Sequence, residues 1–316
     1  MPDTIVVLAG GLSHERDVSL RSGRRVAQEL RDLGHQVVEL DVSPRLLGEL
    51  AELDRPVVLP LLHGGAGEDG ALRQVLELAG VPYVGSPAAS CRVAFDKAVA
   101  TPVVAAAGVR VPRQAALPDE TLRELGAPAL VAALAERLGL PLMVKPARSG
   151  SALGCTAVTA LAELPEAMVQ AYGYGPTVVV EELVEGTEVA VSVVETADGL
   201  RALPVVEIRP ESGVYDYEAR YTAGATRFLA PAELPDLVAG ACQELALAAH
   251  RALHLRDLSR IDMIVGPGQE PVFIEANVAP GMTETSTWPL AAEAAGARLG
   301  DLLAGLVARV RERSGG

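Results

Sequence analysis

One stretch, RIDMIVGPGQEPVFIEANVAPGMTETS at residues 260–286, restricts the fold of the chain more than any other segment. Residues 261–265 and 271–274 are apolar runs of strand length, and the Gly-Pro-Gly-Gln segment between them has the residue types that tight turns favour. The second strand is therefore predicted to fold back onto the first. This hairpin would bring Asp262 close to Glu275, give or take a residue of register.

Polar side chains follow the same two strands. Side chains alternate along a strand, so Glu275 and Asn277 are expected to point to the same face. With Asp262 they form a set of oxygen ligands of the kind that holds Mg²⁺ together with substrate phosphates, although acids at a strand end are also common on ordinary surfaces. The small-residue loop at 280–283 and the Ser286-Thr287 pair before the next helix add free backbone N–H groups that can bind an anion. Together these features predict phosphate and carboxylate chemistry.

The bulk properties exclude several classes of protein. The chain has 316 residues, which predicts two or three compact units at roughly 100–200 residues each. Its net charge of −14 argues against a nucleic-acid surface, since such a surface needs a basic stripe. The three cysteines, Cys91, Cys155 and Cys242, lack any metal-ligand spacing and are expected to be free thiols in a reducing compartment. The sequence has no signal-peptide pattern and no apolar run of membrane-spanning length, so we expect a cytoplasmic location without membrane contact.

The N-terminal part of the chain alternates strands with helices. Strands are predicted at 4–9, 36–42, 56–62 and 82–84, and helices after the first strand and at 69–78. This alternation predicts an α/β unit with a parallel sheet built from βαβ connections. Ligands of such sheets bind at the carboxyl ends of the strands, where two glycine-containing loops, residues 10–22 and 63–69, are expected to lie.

Each of these two loops contains one candidate site residue. The first, GGLSHERDVSLRSG, lacks the G-x-G-x-x-G spacing of a dinucleotide site. Its Glu15 could bind an ammonium group, although the helix dipole also favours an acid at a helix start. The second, LHGGAGEDG, places His63 at a strand end, followed by glycines that let the backbone approach a ligand. His63 is therefore predicted to belong to the site.

Two lysines in the middle of the chain are candidates for binding an anion. Lys97 lies near the start of a helix predicted at 96–107, where a cation opposes the helix dipole, so it is either held for an anion or is an ordinary surface lysine. Lys145 ends a strand at 142–145 and begins the loop KPARSGSALG. This is not a Walker A loop, because the lysine precedes the glycines and no helix follows. Its backbone N–H groups could still fold over phosphates, or the segment could be a plain surface hairpin.

The rest of the chain predicts helices and strands around one unusual loop. Residues 214–228, VYDYEARYTAGATRF, contain three of the chain's six tyrosines beside Arg220 and are interpreted as a loop over a site. Residues 112–127 are interpreted as a linker with some helix. The remaining helices are predicted at 131–138, 233–254 and 299–310, and the remaining strands at 155–158, 177–182, 188–194 and 200–208.

Seven motifs, taken together, resemble the D-alanine–D-alanine ligases of the ATP-grasp superfamily. They follow the order of that family over nearly the whole chain: GGLSHERDVSLRSG, LHGGAGEDG, PYVGS with FDK, VKPARSGSALG, EELVEGTE, YDYEARY, and RIDMIV with FIEANVAPGMT. Each motif alone is weak, whereas seven in order are specific. The resemblance implies an ATP-grasp fold of the α/β class with α+β lobes. Its parts would be an N-terminal Rossmann-like domain at 1–95, a central ATP-grasp subdomain at 96–184 and a C-terminal subdomain at 185–316.

The resemblance also implies which residues hold ATP and metal. Two Mg²⁺ ions, which Mn²⁺ could replace, would be bound by Asp262, Glu275 and Asn277, and K⁺ is implied as an activator. The phosphates would be held by Lys97, Lys145, Gly150, Ser151, Ala152 and Gly154. The rest of the nucleotide site would comprise Glu181, Glu182, Leu183, Glu188 and Arg220, with Glu181 and Leu183 at the adenine and Glu188 at the ribose. Phosphoryl transfer depends mainly on positioning and charge neutralisation, which such a set supplies.

For the substrates, the resemblance implies two D-alanine molecules joined through an acyl phosphate to supply peptidoglycan precursors. The substrates would be bound by Glu15, His63, Gly281, Ser286 and Thr287. The catalytic residues implied are Glu15, Ser151, Tyr221, Arg260 and Gly281. Glu15 would bind the first ammonium group and share a hydrogen-bond relay with Ser151 and Tyr221. Arg260 and the Gly281 N–H would donate to the oxyanion, and losing one such donor typically costs roughly 10²–10³ in rate.

Several positions depart from the family pattern. The departures are Ser149 and Ala152 in the usual E-G-S-S-x-G loop, Arg220 in place of lysine, Val278-Ala279 in place of Thr-Ser, and Arg73-Gln74 in place of Gln-Gly. None of them removes a predicted metal ligand or the oxyanion arginine. They leave open how the loop holds phosphate and which molecule is the second substrate.

Other interpretations compete with a D-alanine ligase. One is a specialised ATP-grasp ligase that joins other amino acids in natural-product or resistance metabolism, and Tyr221 favours an amino acid over D-lactate as its second substrate. Another is a nucleotide sensor without activity, which the retained metal-ligand set argues against. A nicotinamide dehydrogenase is disfavoured because the glycine fingerprint is absent. The family resemblance also implies a homodimer formed through the N-terminal domain.

Overall fold

The computed structural model describes residues 4–211, 222 and 224–314. The strands are β1 Ile5–Leu8, β2 Val37–Leu40, β3 Val57–Pro60, β4 Gln114–Pro118, β5 Leu142–Pro146, β6 Thr156–Val158, β7 Thr177–Glu182, β8 Thr187–Thr196, β9 Gly199–Ala202, β10 Val206–Pro210, β11 Thr226–Leu229, β12 Leu258–Val265 and β13 Pro271–Asn277. The helices are α1 Arg16–Asp32, α2 Leu46–Ala51, α3 Ala71–Leu78, α4 Ala88–Phe95, α5 Lys97–Ala106, α6 Asp119–Leu125, α7 Ala127–Leu138, α8 Leu164–Tyr172, α9 Asp236–Ala252, α10 Thr287–Ala294 and α11 Leu299–Ser314.

The first sheet is parallel, with the strand order β2-β1-β3. The alternating side chains of β1 enter two different cores, because Ile5 and Val7 pack with α1 and α11 while Val6 and Leu8 pack with α2 and α3. Burial on both faces is characteristic of a parallel sheet covered by helices. The predicted α/β unit is confirmed, and α11 brings the C-terminal end of the chain back onto it.

The second and third sheets are antiparallel. The second has the order β4-β7-β5-β6 and packs against α7 and α8. The third has the order β11-β10-β8-β12-β13, with β9 beside β8, and its core includes side chains of α4, α5 and α9. These mixed layers confirm the predicted ATP-grasp class of fold, while the residue boundaries proposed for the three domains stay a prediction.

The β12–β13 hairpin forms in the predicted register. Asp262 pairs with Glu275 and Arg260 pairs with Asn277, with a register shift directly after Asp262. The left-handed backbone of Gln269, at φ 64°, closes the turn where Gly and Pro punctuate the sequence. The hairpin therefore delivers the predicted oxygen ligands to one end of the third sheet.

Several segments differ from the sequence predictions, and the strand predicted at 82–84 forms only an isolated bridge between Val58 and Tyr83. The predicted linker at 112–127 contains β4, which pairs along β7 as an edge strand, followed by α6. The single strand predicted at 200–208 is two strands, β9 and β10, because Pro204 lies between them and cannot donate to a ladder. Within the described ranges, none of the helices is long and apolar enough to cross a membrane.

Candidate active site

A cavity of about 330 Å³ lies where the loops after β1 and β3 meet the β12–β13 hairpin and the loop after β5. More than half of the predicted site residues line it: Glu15, His63, Lys97, Gly150, Ser151, Arg260, Asp262, Glu275, Asn277, Gly281, Ser286 and Thr287. These residues come from all parts of the chain, so the fold gathers what the sequence separates.

The two predicted metal carboxylates are each paired with a cation. The Arg260 guanidinium donates to both carboxylate oxygens of Asp262, at 2.7 and 2.6 Å. The Lys97 Nζ lies 3.0 Å from the Glu275 Oε2. The Asn277 Oδ1 accepts a hydrogen bond from the Ala279 N–H at 2.8 Å. Four charges of alternating sign thus balance one another at this wall of the cavity.

Lys97 is held inside the protein. It is 8 % exposed, and its Nζ also donates to the Ser149 carbonyl at 2.8 Å. Burial alone would lower the pKa of Lys97, but the Glu275 carboxylate, with smaller contributions from Cys155 and Glu68, raises it above its ordinary value. The lysine is therefore charged, and the alternative of an ordinary surface lysine does not hold.

The Glu15 carboxylate faces the cavity. It immediately precedes α1, yet its side chain makes no hydrogen bond to the N–H groups of that helix. It accepts a hydrogen bond from the Ser151 Oγ at 2.5 Å. A Cβ added at Gly64 would lie 2.6 Å from the Glu15 Oε2, so a larger residue there would displace this carboxylate. The packing places Glu15 in contact with the loop after β5 and does not use it as a helix cap.

The loop after β5 has an unusual backbone. Ser151 and Ala152 have positive φ values of 53° and 56°, which non-glycine residues rarely adopt. Gly154, at φ 73°, packs so closely against Tyr174 that an added Cβ would lie 2.5 Å from its ring. Successive backbone N–H groups in a turn can point to one side and form an anion-binding nest. This geometry suits the phosphate contact predicted from the sequence.

Several predicted nucleotide residues lie outside the cavity wall, on β5, β7 and β8 and in the adjoining loops. The Lys145 Nζ and the Glu181 Oε1 form a buried ion pair at 2.6 Å, and the Glu181 Oε2 has no partner among the described residues. The Glu182 carboxylate accepts from the Arg113 Nε at 2.8 Å. The Leu183 N–H donates to the Pro141 carbonyl at 3.0 Å. The cavity wall also omits Ala152, Gly154 and Glu188, the last of which lies on β8.

Glu68 lines the cavity and was not among the sequence predictions. It is 7 % exposed, and it accepts a hydrogen bond from the Gly64 N–H at 2.8 Å. Burial, with the charges of Glu15 and Glu275 as smaller causes, raises the pKa of Glu68 to about 7. The signal was present in the sequence as an acid in the glycine-rich loop LHGGAGEDG, although nothing local indicated its burial.

His63 lies at the cavity wall with both ring nitrogens engaged. Its Nδ1 lies 2.8 Å from the Ala279 carbonyl and its Nε2 lies 3.3 Å from the Ser22 Oγ. Burial lowers the pKa of His63, against a smaller opposing effect of the Glu15 charge. The ring is therefore neutral and is fixed by two parts of the chain that are distant in sequence.

One end of the cavity is formed by the start of a helix. Ser286 precedes α10, and its Oγ accepts from the Thr283 N–H at 3.1 Å. The buried Thr287 Oγ1 has no partner among the described residues. Two predicted residues, Arg220 and Tyr221, lie outside the described ranges.

The chain is similar to known proteins over nearly its full length. The family model described as D-ala D-ala ligase C-terminus matches residues 103–308, and the one described as D-ala D-ala ligase N-terminus matches residues 44–86. A D-alanine–D-alanine ligase from Bordetella petrii is 39% identical over 301 residues, which cover 95% of this chain and 90% of the relative.

Solved structures of related proteins superpose on the whole chain. The VanG D-Ala:D-Ser ligase from Enterococcus faecalis has a TM-score of 0.85 at 29% identity, covering 98% of this chain and 100% of that one. The D-alanine–D-alanine ligase from Bacillus anthracis complexed with ATP has a TM-score of 0.82 at 27% identity, covering 98% and 99%. Both the sequence and the fold therefore match one group of ligases from end to end.

Proposed function

Because the chain belongs to the D-alanine–D-alanine ligase family, we propose that it joins two D-alanine molecules to D-alanyl-D-alanine and consumes ATP. One observation carries this proposal most directly. Asp262 and Glu275 form a paired acidic set, each held by a cation, at the wall of a cavity that also contains Glu15 and Gly281. Such a site can hold phosphates at one end and an amino acid at the other.

The residues fit Mg²⁺ carried in with ATP better than a metal bound by the protein alone. Within the described ranges, no three His, Cys, Asp or Glu side chains converge as a metal site. Mg²⁺ typically binds one or two carboxylates and completes its shell with phosphate oxygens and water. Asp262, Glu275 and Asn277 would hold the ions, which neutralise the transferred phosphoryl group. In this proposal Arg260 and Lys97, which pair with the two acids in the structure, would contact substrate oxygens once the acids hold the ions. K⁺ activation and a role for Mn²⁺ are part of the same hypothesis.

The nucleotide would lie between the second and third sheets. Lys145 and the left-handed turn at Ser151 and Ala152 are proposed to contact its phosphates, and Glu181 and Leu183 its base. The unpartnered Glu181 Oε2 supports this assignment, because a buried carboxylate oxygen without a donor costs free energy until a ligand supplies one. Arg220, which lies outside the described residues, belongs to the same proposed set, as do Gly150, Gly154, Glu182 and Glu188.

The first substrate is proposed to bind through its ammonium group to Glu15. Its carboxylate then attacks the terminal phosphate of ATP and becomes an acyl phosphate, with ADP as the leaving group. The hydrogen bond from Ser151 to Glu15 supports this arrangement, because it closes the phosphate loop over the reacting groups. Closure excludes water, which would otherwise hydrolyse the acyl phosphate. Tyr221 is proposed to complete that relay.

The second substrate is proposed to bind with its carboxylate at Ser286 and Thr287, where α10 begins. Its amine attacks the acyl phosphate carbonyl, and phosphate leaves. The oxyanion formed in this step would accept hydrogen bonds from Arg260 and from the Gly281 N–H. Among the described residues the Gly281 N–H has no hydrogen-bond acceptor, and Gly281 borders the cavity, which supports its assignment as a donor to substrate.

We further propose that the product feeds peptidoglycan synthesis, that the protein acts in the cytoplasm, and that it forms a homodimer through its N-terminal domain. A specialised ligase that takes a different second amino acid is the second candidate. The likeness to a D-Ala:D-Ser ligase and the departures at Ala152 and Val278 favour it specifically.

The metal assignment is tested by Glu275→Gln, with Glu270→Gln as the matched control. Glu270 lies on the same hairpin, but its side chain is 67% exposed and pairs with Arg110 at the surface. We expect the Glu275 variant to lose at least about 10²-fold in D-alanine-dependent ADP release, because charge stabilisation of the transferred group is lost. The Glu270 variant should retain wild-type rates. Equal rates for all three proteins would refute the role given to Glu275.

A further inference from the structure

The loop that carries Gly281 is held from outside by side chains of the N-terminal unit. We define this segment, residues 278–282, as the oxyanion loop. It joins β13 to the turn before α10, and it borders the cavity at Ala279 and Gly281. Four of its backbone groups bond to side chains more than 200 positions away in sequence: Ser22, Arg25, His63 and Arg73.

Ser22 and His63 form one continuous hydrogen-bonded chain with fixed donors and acceptors. A carbonyl can only accept, so the His63 Nδ1–H donates to the Ala279 carbonyl at 2.8 Å, and the neutral ring leaves Nε2 as an acceptor. The Ser22 O–H donates to that Nε2 at 3.3 Å. The Met282 N–H donates to the Ser22 Oγ at 3.0 Å. This series of hydrogen bonds therefore holds the oxyanion loop at Ala279 and at Met282, on either side of Pro280 and Gly281.

The side chains that hold the oxyanion loop are buried and have little conformational freedom. Ser22 is fully buried, and His63 is 5% exposed. Arg73, also buried, adds a third bond to the Val278 carbonyl at 3.3 Å and donates to the Gly67 carbonyl at 2.5 Å. Hydrogen bonds in such a dry environment are directional and costly to break, so they fix a backbone segment better than exposed ones do.

We propose that Ser22 and His63 are positioning residues that hold the oxyanion loop so that the Gly281 N–H faces the reacting carbonyl. The inference rests on the proposed function, because it assigns a role to Gly281 in that reaction. It differs from direct substrate binding by His63, since both ring nitrogens are already committed to protein atoms. Neither residue needs to touch the substrate.

Ser22→Ala tests this proposal, with Ser19→Ala as the matched control. Ser19 is a fully buried serine of the same helix that likewise accepts one backbone N–H, from Gly10, and donates to one carbonyl, of Leu61. Its hydroxyl does not touch the oxyanion loop. Both variants lose an equivalent pair of buried bonds, so their thermal midpoints should fall by similar amounts.

The kinetic readout separates positioning from binding. We expect Ser22→Ala to lower kcat by about 10–100-fold with the KM values for ATP and D-alanine within about twofold, because a small misplacement of an oxyanion donor acts on the transition state. Ser19→Ala should keep kcat within about threefold. Adding His63→Gln to Ser22→Ala should lower kcat little further, because both substitutions interrupt the same series of hydrogen bonds. A raised KM with unchanged kcat in Ser22→Ala would overturn the proposal.

A second readout does not depend on activity. Backbone amide hydrogen exchange over residues 278–286 should accelerate at least about tenfold in Ser22→Ala and stay at the wild-type rate in Ser19→Ala. Unchanged protection in Ser22→Ala would refute the grip on the loop. If the wild-type protein made no dipeptide, the proposed function would fail, whereas this exchange experiment would still decide whether the grip exists.

Discussion

Replacing Arg313 with methionine should destabilise the protein through a carboxylate that is far from the cavity. The Asp257 side chain is fully buried, and the Arg313 guanidinium contacts both its oxygens, at 2.5 and 2.7 Å. The Gly85 N–H also donates to it at 2.7 Å, and the Arg256 Nε lies 3.8 Å away. These contacts tie α11 and the start of β12 to the end of the N-terminal unit.

The magnitude follows from what remains after the arginine is removed. Deleting one partner of a buried ion pair costs about 3–5 kcal/mol, and here the Gly85 N–H and Arg256 still oppose part of the charge. We therefore expect a loss of about 3 kcal/mol, which for a chain of 316 residues corresponds to a fall of roughly 4–5 °C in the thermal midpoint. The assay is thermal unfolding followed by circular dichroism at one protein concentration. Asp257 has a positive φ of 65°, which asparagine tolerates well, so adding Asp257→Asn to Arg313→Met removes the unpaired charge and should restore part of the lost stability.

A surface ion pair of the same helix region provides the comparison. Arg298 pairs with Asp301 at 4.0 Å, and both side chains are more than half exposed. Arg298→Met should change the midpoint by less than about 2 °C, because exposed pairs contribute little. A midpoint for Arg313→Met that matches the Arg298 variant, or a double variant with Asp257→Asn that shows no rescue, would refute the buried-charge account.

Two further predictions concern titration. Burial lowers the pKa of His250 to about 4. Between this value and the ordinary histidine pKa near 6.5, His250 is protonated in the unfolded chain but neutral in the folded protein. The free energy of unfolding should therefore fall by about 2 kcal/mol from this group as the pH drops from 7 to 5. Measured by urea unfolding, the free energy of unfolding of His250→Gln should depend less steeply on pH by that amount. The same pH dependence in wild type and variant would contradict the prediction. The pKa of about 7 for Glu68 makes stability fall as the pH rises, which is the opposite direction. In that pH range the folded protein keeps Glu68 protonated, whereas the unfolded chain loses this proton above the ordinary pKa of a glutamate. In metal-free buffer, Glu68→Gln should gain stability over the wild type between pH 5 and pH 8, by up to about 3 kcal/mol, and no gain would show that this carboxyl is not held neutral.

The sequence predicted those parts of the fold that depend on local chemistry. The β12–β13 hairpin formed in register because its turn residues and apolar runs specify it over a short span. The parallel sheet followed from strands alternating with helices. The edge strand β4 was missed because its sequence, QAALP, has no clear alternation and gains its stability from pairing with β7.

The sequence predicted which residues belong to the candidate site better than it predicted which side chains contact each other there. Most of the residues expected at the site do line one cavity. The pairing of Arg260 with Asp262 follows from their spacing of two residues along one strand, whereas the pairing of Lys97 with Glu275 joins positions that no local pattern connects. The same holds for Glu68, whose burial results from packing among distant elements.

The role of Ser22 shows this limit most clearly. Its sequence context, a serine on the buried side of α1, suggests only a small residue in a helix–sheet contact. The bond to the Met282 N–H joins positions 260 apart in sequence, and only the folded chain brings them together. Motifs in the sequence can thus identify candidate site residues, whereas the residues that position them have to be found in the structure.

The most direct test of the central claim is product identification by mass after incubation of the purified protein with Mg²⁺, ATP and single or paired D- and L-amino acids. The account predicts that D-alanine alone yields D-alanyl-D-alanine, with one ADP released per dipeptide. ATP binding without a dipeptide from any amino acid would contradict it. Turnover only with D-alanine and a different second amino acid would assign the chain to the specialised ligases instead.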